Sequence, residues 1–292
     1  MRLSVGFFLI LFLSLNVAHA LDKYTYVVLI SLDGVGRDML GIKGDYLFDL
    51  SKKYSSMSNA RAVEPPVTIN NHAAMFSGLG PESHLMLNNS PTAADAPLKA
   101  PTIFKLAKNA GLKVAAVIGK DKFFYLVNKA DLDAIRIPGE LTRHLPIVIQ
   151  KEAISVFDEL EPNLLFIHFP EADSAGHQFG WNSAFQKWTI RRIGMAVKEI
   201  IDHIESKKSG KKVLFLLTSD HGGHEHTHGN KNLKGNYFEI DMKVPVIFVS
   251  DEFLRGKLLS QSFFSYDIAP TIASALRLAV PKNWHWKGKA LR

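Results

Sequence analysis

The chain has no cysteine. This excludes disulfides, thiolate metal ligands and any cysteine-derived nucleophile, so an exported form would depend on core packing for its stability. Beyond the first twenty residues no apolar run is long enough to cross a bilayer. There is no internal repeat, no low-complexity tract and no linker dividing the 292 residues, which suffice for one sizeable core. No nucleic-acid-binding motif accompanies the formal charge of +7. That charge is read as a solubility feature or a general attraction for anionic substrates.

The N-terminus does carry a signal. Arg2 precedes an apolar run over residues 5–15 and then Ala18-His19-Ala20, a small-x-small cleavage pattern. The reading is a signal peptide over residues 1–20. Its removal leaves residues 21–292 as a single catalytic domain, exported and either periplasmic or secreted. Losing Arg2 takes the charge from +7 to +6. An uncleaved anchor is the alternative, but the run is short for a membrane span.

Four apolar runs, at residues 26–32, 113–118, 164–169 and 213–217, are too continuous for half-exposed strands. They fit strands covered on both faces, as in a parallel sheet. Helices are predicted over 39–54, 103–110, 145–160 and 183–206, with a last strand over 244–249. Each of the four runs leads into polar residues: Asp33, then Lys120-Asp121-Lys122, then Asp173 and His177, then Asp220-His221. In open α/β sheets that edge is where ligands bind. Carboxylate and imidazole together suit zinc or a similar divalent ion. The stretch 219–229 holds four histidines, His221, His224, His226 and His228, and an exposed polar loop is its plain alternative.

Glu64-Pro65-Pro66 forces an extended approach to a short helix that Gly78 or Gly80 ends. Thr68 therefore falls near a helix N-terminus, where free N–H groups favour an anion. It is either a cap for those groups or, if a metal lowers its hydroxyl pKa, a nucleophile. Asn89 is a turn residue or an amide donor to a phosphoryl oxygen. Lys120 and Lys122 form a solvated turn or hold a doubly charged oxyanion between them.

Taken in order, Asp33, Thr68, Asp173, His177, Asp220, His221 and His228 resemble the alkaline phosphatase superfamily. The likeness is greatest to its type I phosphodiesterase/nucleotide pyrophosphatase-like branch, with the related threonine-dependent phosphatases. It runs from Val27 to the end, where residues 267–271 and 288–291 look like the family's closing segments. The resemblance implies an α/β fold: an alkaline-phosphatase-like core with a mostly parallel central sheet sandwiched by helices. Only six residues separate His221 from His228, so the core would be minimal, with no large cap and an open site.

The resemblance also implies two divalent metal ions, zinc or else manganese. Asp33, Asp220 and His221 would hold one together with Thr68; Asp173, His177 and His228 would hold the other. His224 and His226 are left out of the ligand set, and His84 is read as structural. Thr68 would attack phosphorus through a covalent phosphothreonine, with Asn89 on a non-bridging oxygen. Lys120 and Lys122 resemble the Lys-x-Lys pair of threonine-dependent phosphomonoesterases and of phosphonoacetate hydrolase. The sulfatase branch needs a Cys or Ser nucleophile in a different local motif. The expectation is thus a two-metal hydrolase of phosphate monoesters. The alternative is a phosphodiesterase/nucleotide pyrophosphatase on the same core, and a further one is a metal- or phosphate-binding protein without turnover. The expected partner is a small phosphorylated substrate, with no nucleic acid and no membrane after signal cleavage; the oligomeric state is left open.

Overall fold

Burial follows the apolar runs. Every residue of β1 (Tyr26–Leu32) is buried, which a strand attains only when covered on both faces. The computed structural model describes residues 24–41, 43–253 and 256–291, so the predicted signal peptide lies outside the described residues. The other strands are β2 (Ser55–Arg61), β3 (Val114–Val117), β4 (Ala134–Arg136), β5 (Leu164–Phe169), β6 (Val213–Thr218), β7 (Val246–Val249) and β8 (Leu258–Phe264). Between them run α1 (Tyr46–Lys53), α2 (Thr68–Ser77), α3 (Pro81–His84), α4 (Ile103–Asn109), α5 (Pro146–Leu160), α6 (Glu171–Phe179), α7 (Ala184–Lys207), α8 (Glu239–Met242) and α9 (Ile268–Ala275).

The strands form one sheet in the order β4-β3-β5-β1-β6-β7-β2-β8. From β4 to β6 all neighbours are parallel; β7 is antiparallel to both β6 and β2. Alternation along β1 sends Val27 and Leu29 into one core and Val28 and Ile30 into the other. The first core takes Ile69 and Phe76 of α2, Phe104 of α4 and Ile272 of α9. The second takes Leu47 of α1, Ile149 of α5, Ala172 of α6 and Ile193 of α7. This is the mostly parallel sheet between helical layers that the sequence implied. Among the described residues no helix is long and apolar enough to cross a membrane.

Parallel strands place their C-terminal ends on one edge. Residues that follow β1, β3, β5 and β6 therefore meet there: Asp33, Lys120, Asp173 and Asp220. Several local expectations change. The helix predicted over 39–54 is a short 3-10 turn (Arg37–Gly41) followed by α1, because Asp45 starts the helix afresh by accepting the Leu47 N–H at 3.2 Å. The last predicted strand shortens to β7 and runs antiparallel. Asp173 and His177, expected at a strand mouth, lie on α6 at i and i+4.

Candidate metal centre and nucleophile

Each carboxylate in the centre is held by one oxygen and bare at the other. Asp33 Oδ2 accepts from His168 Nε2–H at 2.9 Å and lies 2.6 Å from Lys120 Nζ. Asp173 Oδ2 accepts from Lys120 at 2.6 Å. Asp220 Oδ1 accepts the backbone N–H groups of Gly34 and His221 at 3.2 and 3.0 Å. The remaining oxygens, Asp33 Oδ1, Asp173 Oδ1 and Asp220 Oδ2, are buried without a hydrogen-bond partner among the described residues. Buried polar atoms are almost always satisfied, so three together mark a place for a cation.

The imidazoles are prepared in the same sense. His221, His228 and His177 each donate Nδ1–H to a backbone carbonyl: Gly222 O at 2.8 Å, Pro66 O at 3.0 Å and His226 O at 2.9 Å. In the neutral rings that fixes the tautomer and leaves Nε2 with a lone pair, as a metal ligand requires, although the bond to Asp173 raises the proton affinity of His177. His221 Nε2 lies 3.5 Å from Asp33 Oδ1 and 3.4 Å from Asp220 Oδ2. His228 Nε2 and His177 Nε2 lie 3.6 and 3.4 Å from Asp173 Oδ1. Two groups have ligand atoms mutually within 4.8 Å: Asp33, Asp220, His221, and Asp173, His221, His228. The first matches the expected set. The second contains His221 where His177 was expected, and His177, half exposed, lies beside it. The donor set, oxygen and imidazole nitrogen, fits zinc or manganese.

The electrostatics point the same way. Burial lowers the proton affinity of His221, and it brings His228 down to about 3, so both rings are neutral donors. Burial would raise Asp33, but Lys120 and His168 hold it well below the usual carboxylate range. Asp220 is pushed up, first by burial and then by the charge of Asp33, and the Lys120 charge offsets this only in part. One ammonium shared by Asp33 and Asp173 does not offset the charge of all three carboxylates once Asp220 is ionised, and a divalent ion would balance it.

Thr68 is the first residue of α2 and is 1 % exposed. The capping reading is not what the structure has. Val67 occupies the cap position, and Thr68 Oγ1 has no partner among the described residues. The expected open site is not seen at this hydroxyl either. The short loop after His221 folds over the helix start, where His228 bonds Pro66 and the backbone of Gly229 packs on Val67. Asn89 Oδ1 accepts the Ile69 N–H at 3.1 Å and Lys122 Nζ at 3.1 Å, so its amide nitrogen remains as a donor. Lys120 and Lys122 thus have different partners, the carboxylates and Asn89 respectively. His224 donates to Asp241, His226 is exposed, and His84 is buried away from the centre.

Other contributors escaped the sequence reading. His72, fully buried, donates Nδ1–H to the Thr68 carbonyl at 2.8 Å, accepts from Ser31 Oγ at 2.8 Å and reaches to 3.6 Å from Asp220 Oδ2. Trp181 donates Nε1–H to Gly34 O at 2.9 Å and meets the His177 ring edge-on at 5.0 Å. Gly34 has φ +76° and backs onto Asp173, whose Cα a Cβ there would approach to 2.8 Å; only glycine allows the two strand ends to close up this far.

A sheet of this order is shared with solved proteins of the alkaline phosphatase superfamily. A protein of that superfamily from Vibrio parahaemolyticus superposes with a TM-score of 0.63 at 15 % identity, over 88 % of this chain and 67 % of the other. A 2-O GAG sulfatase gives 0.74 at 16 %, covering 92 % and 73 %. Murine ectonucleotide pyrophosphatase / phosphodiesterase 5 gives 0.68 at 15 %, covering 88 % and 96 %. These likenesses concern the fold. Residues 27–243 match the family described as type I phosphodiesterase / nucleotide pyrophosphatase, and the chain belongs to that family. Human ectonucleotide pyrophosphatase/phosphodiesterase family member 1 is 25 % identical over 285 residues, 89 % of this chain and 30 % of that protein. GPI ethanolamine phosphate transferase 2 of Aspergillus oryzae is 26 % identical over 165 residues, 52 % and 18 %. The chain spans less than half the length of these curated relatives.

Proposed function

We propose that this chain hydrolyses phosphate esters with Thr68 as nucleophile, acting on diesters and pyrophosphate links in preference to monoesters. The observation that carries the reading is Thr68 Oγ1, buried at the start of α2 with no partner among the described residues, on a residue that His72 ties toward Asp220. Asp33, Asp220 and His221 would hold one divalent ion, and Asp173 and His228 a second, with His177 at its edge. When bound, such ions supply positive charge that makes the hydroxyl more acidic and offsets charge on the leaving oxygen.

The Thr68 oxygen attacks phosphorus in line with the leaving group. The phosphorus–oxygen bond to that group breaks as a phosphothreonine forms; water then cleaves the phosphothreonine and restores the hydroxyl. Asn89, fixed by Ile69 N–H on its oxygen, offers its amide to a non-bridging oxygen. His72 holds the Thr68 backbone in place, and His168 fixes the direction of Asp33.

The diester preference has two supports. One is the family match. The other is that Lys120 is engaged by Asp33 and Asp173, which leaves Lys122 beside Asn89 as the cation for the substrate. A diester carries one negative non-bridging charge, and one cation suffices. The second reading, monoester hydrolysis, needs both lysines on a terminal phosphate. It is favoured by their closeness, which after burial is the main cause lowering Lys122. The murine relative's inactive form, a threonine-to-alanine variant, is in complex with AMP, which supports a threonine and a nucleotide-type ester. Export, with residues 21–292 as one catalytic unit, rests on the N-terminal pattern and the relatives' ecto- designation.

Thr68→Ala is expected to lower turnover by at least ~10³-fold while zinc content and melting temperature stay unchanged. Undiminished turnover in that variant would remove the nucleophile from the account.

A further inference from the structure

The two histidines His221 and His228 flank a loop of six residues, and neither helix nor strand lies between them. Their rings nonetheless stack at 3.6 Å between centroids and 14° between planes, an arrangement that needs both loop ends fixed. The fixing residue is Asp241, fully buried on α8. Its backbone oxygen accepts the Gly222 N–H at 2.8 Å, and its Oδ2 accepts the Gly229 N–H at 2.9 Å. Gly222 and Gly229 are the residues directly after His221 and His228. Its Oδ1 accepts His224 Nδ1–H at 2.8 Å, and the His224 ring is stacked on Phe238 at 3.8 Å. One residue thus grips both ends of the loop and its middle.

A plain turn would not call for a buried carboxylate, whose desolvation costs several kcal/mol unless its oxygens are all engaged. Here both are engaged, Oδ1 by the His224 ring and Oδ2 by the backbone next to the candidate ligand His228. We infer that Asp241 is a positioning residue for the second metal site: it sets the height and direction of His228 against His221, so that both Nε2 lone pairs converge with Asp173. This rests on the metal reading given under Proposed function. The side chain acts on the His228 end, whereas the backbone bond to Gly222 does not depend on the side chain. The effect of a side-chain change is therefore confined to the site that contains His228.

Zinc titration of the metal-free full chain by calorimetry tests this. The wild type is expected to take up two ions. Asp241→Asn keeps the size but puts an N–H group toward either His224 or Gly229. It should weaken one zinc site about 10–100-fold, the range for groups that orient metal ligands, and leave the other within about threefold. His224→Ala, which keeps the Gly229 bond but strips Oδ1 of its partner, should weaken the same site a few-fold and leave the other within about threefold. It decides the matter alone if Asp241→Asn does not fold. Two zinc sites of wild-type affinity in both variants would overturn the inference, as would equal weakening of both sites together with a lowered melting temperature. A wild type that binds no zinc would overturn the metal reading and this inference together, and would show before any substitution is made.

Discussion

Asp33 and Asp173 share a single ammonium, that of Lys120, at 2.6 Å from each. Removing one partner of a buried pair leaves a stranded charge. Lys120→Met should therefore lower the stability of the metal-free protein by roughly 3–5 kcal/mol. Excess zinc should recover much of that loss, because an ion bound only by the folded state stabilises it. Urea melts with and without zinc check both halves. His84 gives a pH dependence away from the centre. Its Nδ1 accepts the Met86 N–H at 3.0 Å, and burial brings it from 6.5 to about 4. The unfolded chain takes up this proton first, so the contribution is complete above about pH 6.5 and is lost as the pH falls toward 4. Wild type should lose about 2 kcal/mol more than His84→Gln between pH 7 and pH 5, read by urea melts. The candidate ligands were legible because Asp and His just beyond buried strands have few structural reasons to be there. His72 and His168 were not, since a histidine inside an apolar strand or helix looks the same whether it is packing or orienting a ligand. Asp241 had no signal at all: its proposed role exists only once the loop ending at Gly229, earlier in the chain, folds back on it.

At the level of elements, α2 does most to place Thr68, the proposed nucleophile. It starts from the extended Pro65-Pro66 approach and ends at Gly78, which has φ +68° and lies under Trp286. A Cβ at that position would fall 2.8 Å from the indole ring. Gly78→Ala should destabilise the protein by about 2 kcal/mol or more, through a left-handed residue and a displaced Trp286. Thermal melts would register this, and turnover per folded molecule should be little changed. The elements differ in how readily their sequences announce them. β1, β3, β5 and β6 are buried on both faces and read as continuous apolar runs. β2 (Ser-Ser-Met-Ser-Asn-Ala-Arg) and the mostly exposed β8 lie at the other side of the sheet, where pairing and not hydrophobicity makes the strand. Nothing in Val246–Val249 encodes its reversal, because strand direction is set by the connection and not by the strand. α6 was hidden by its own composition: Glu-Ala-Asp-Ser-Ala-Gly-His reads as a loop, yet the helix is what stacks Asp173 and His177 one turn apart.

For the molecule as a whole, the proposed function rests on a sheet that brings four strand ends to one edge and a helix that presents a hydroxyl there. The sulfatases share that sheet at TM-scores near those of the phosphodiesterase, so the fold alone does not choose the ester. On the proposed reading that choice falls to Thr68, Asn89 and the way the two lysines are engaged. The measurement that tests this most directly is turnover of nitrophenyl phosphate against its thymidyl diester, by the zinc-loaded wild type and by Thr68→Ala. The account predicts that the diester is cleaved at least ~10-fold faster in kcat/KM and that Thr68→Ala loses both activities. A monoester preference would mean that Lys120 leaves the carboxylates to join Lys122 on the substrate, and diester cleavage that survives in Thr68→Ala would contradict the nucleophile itself.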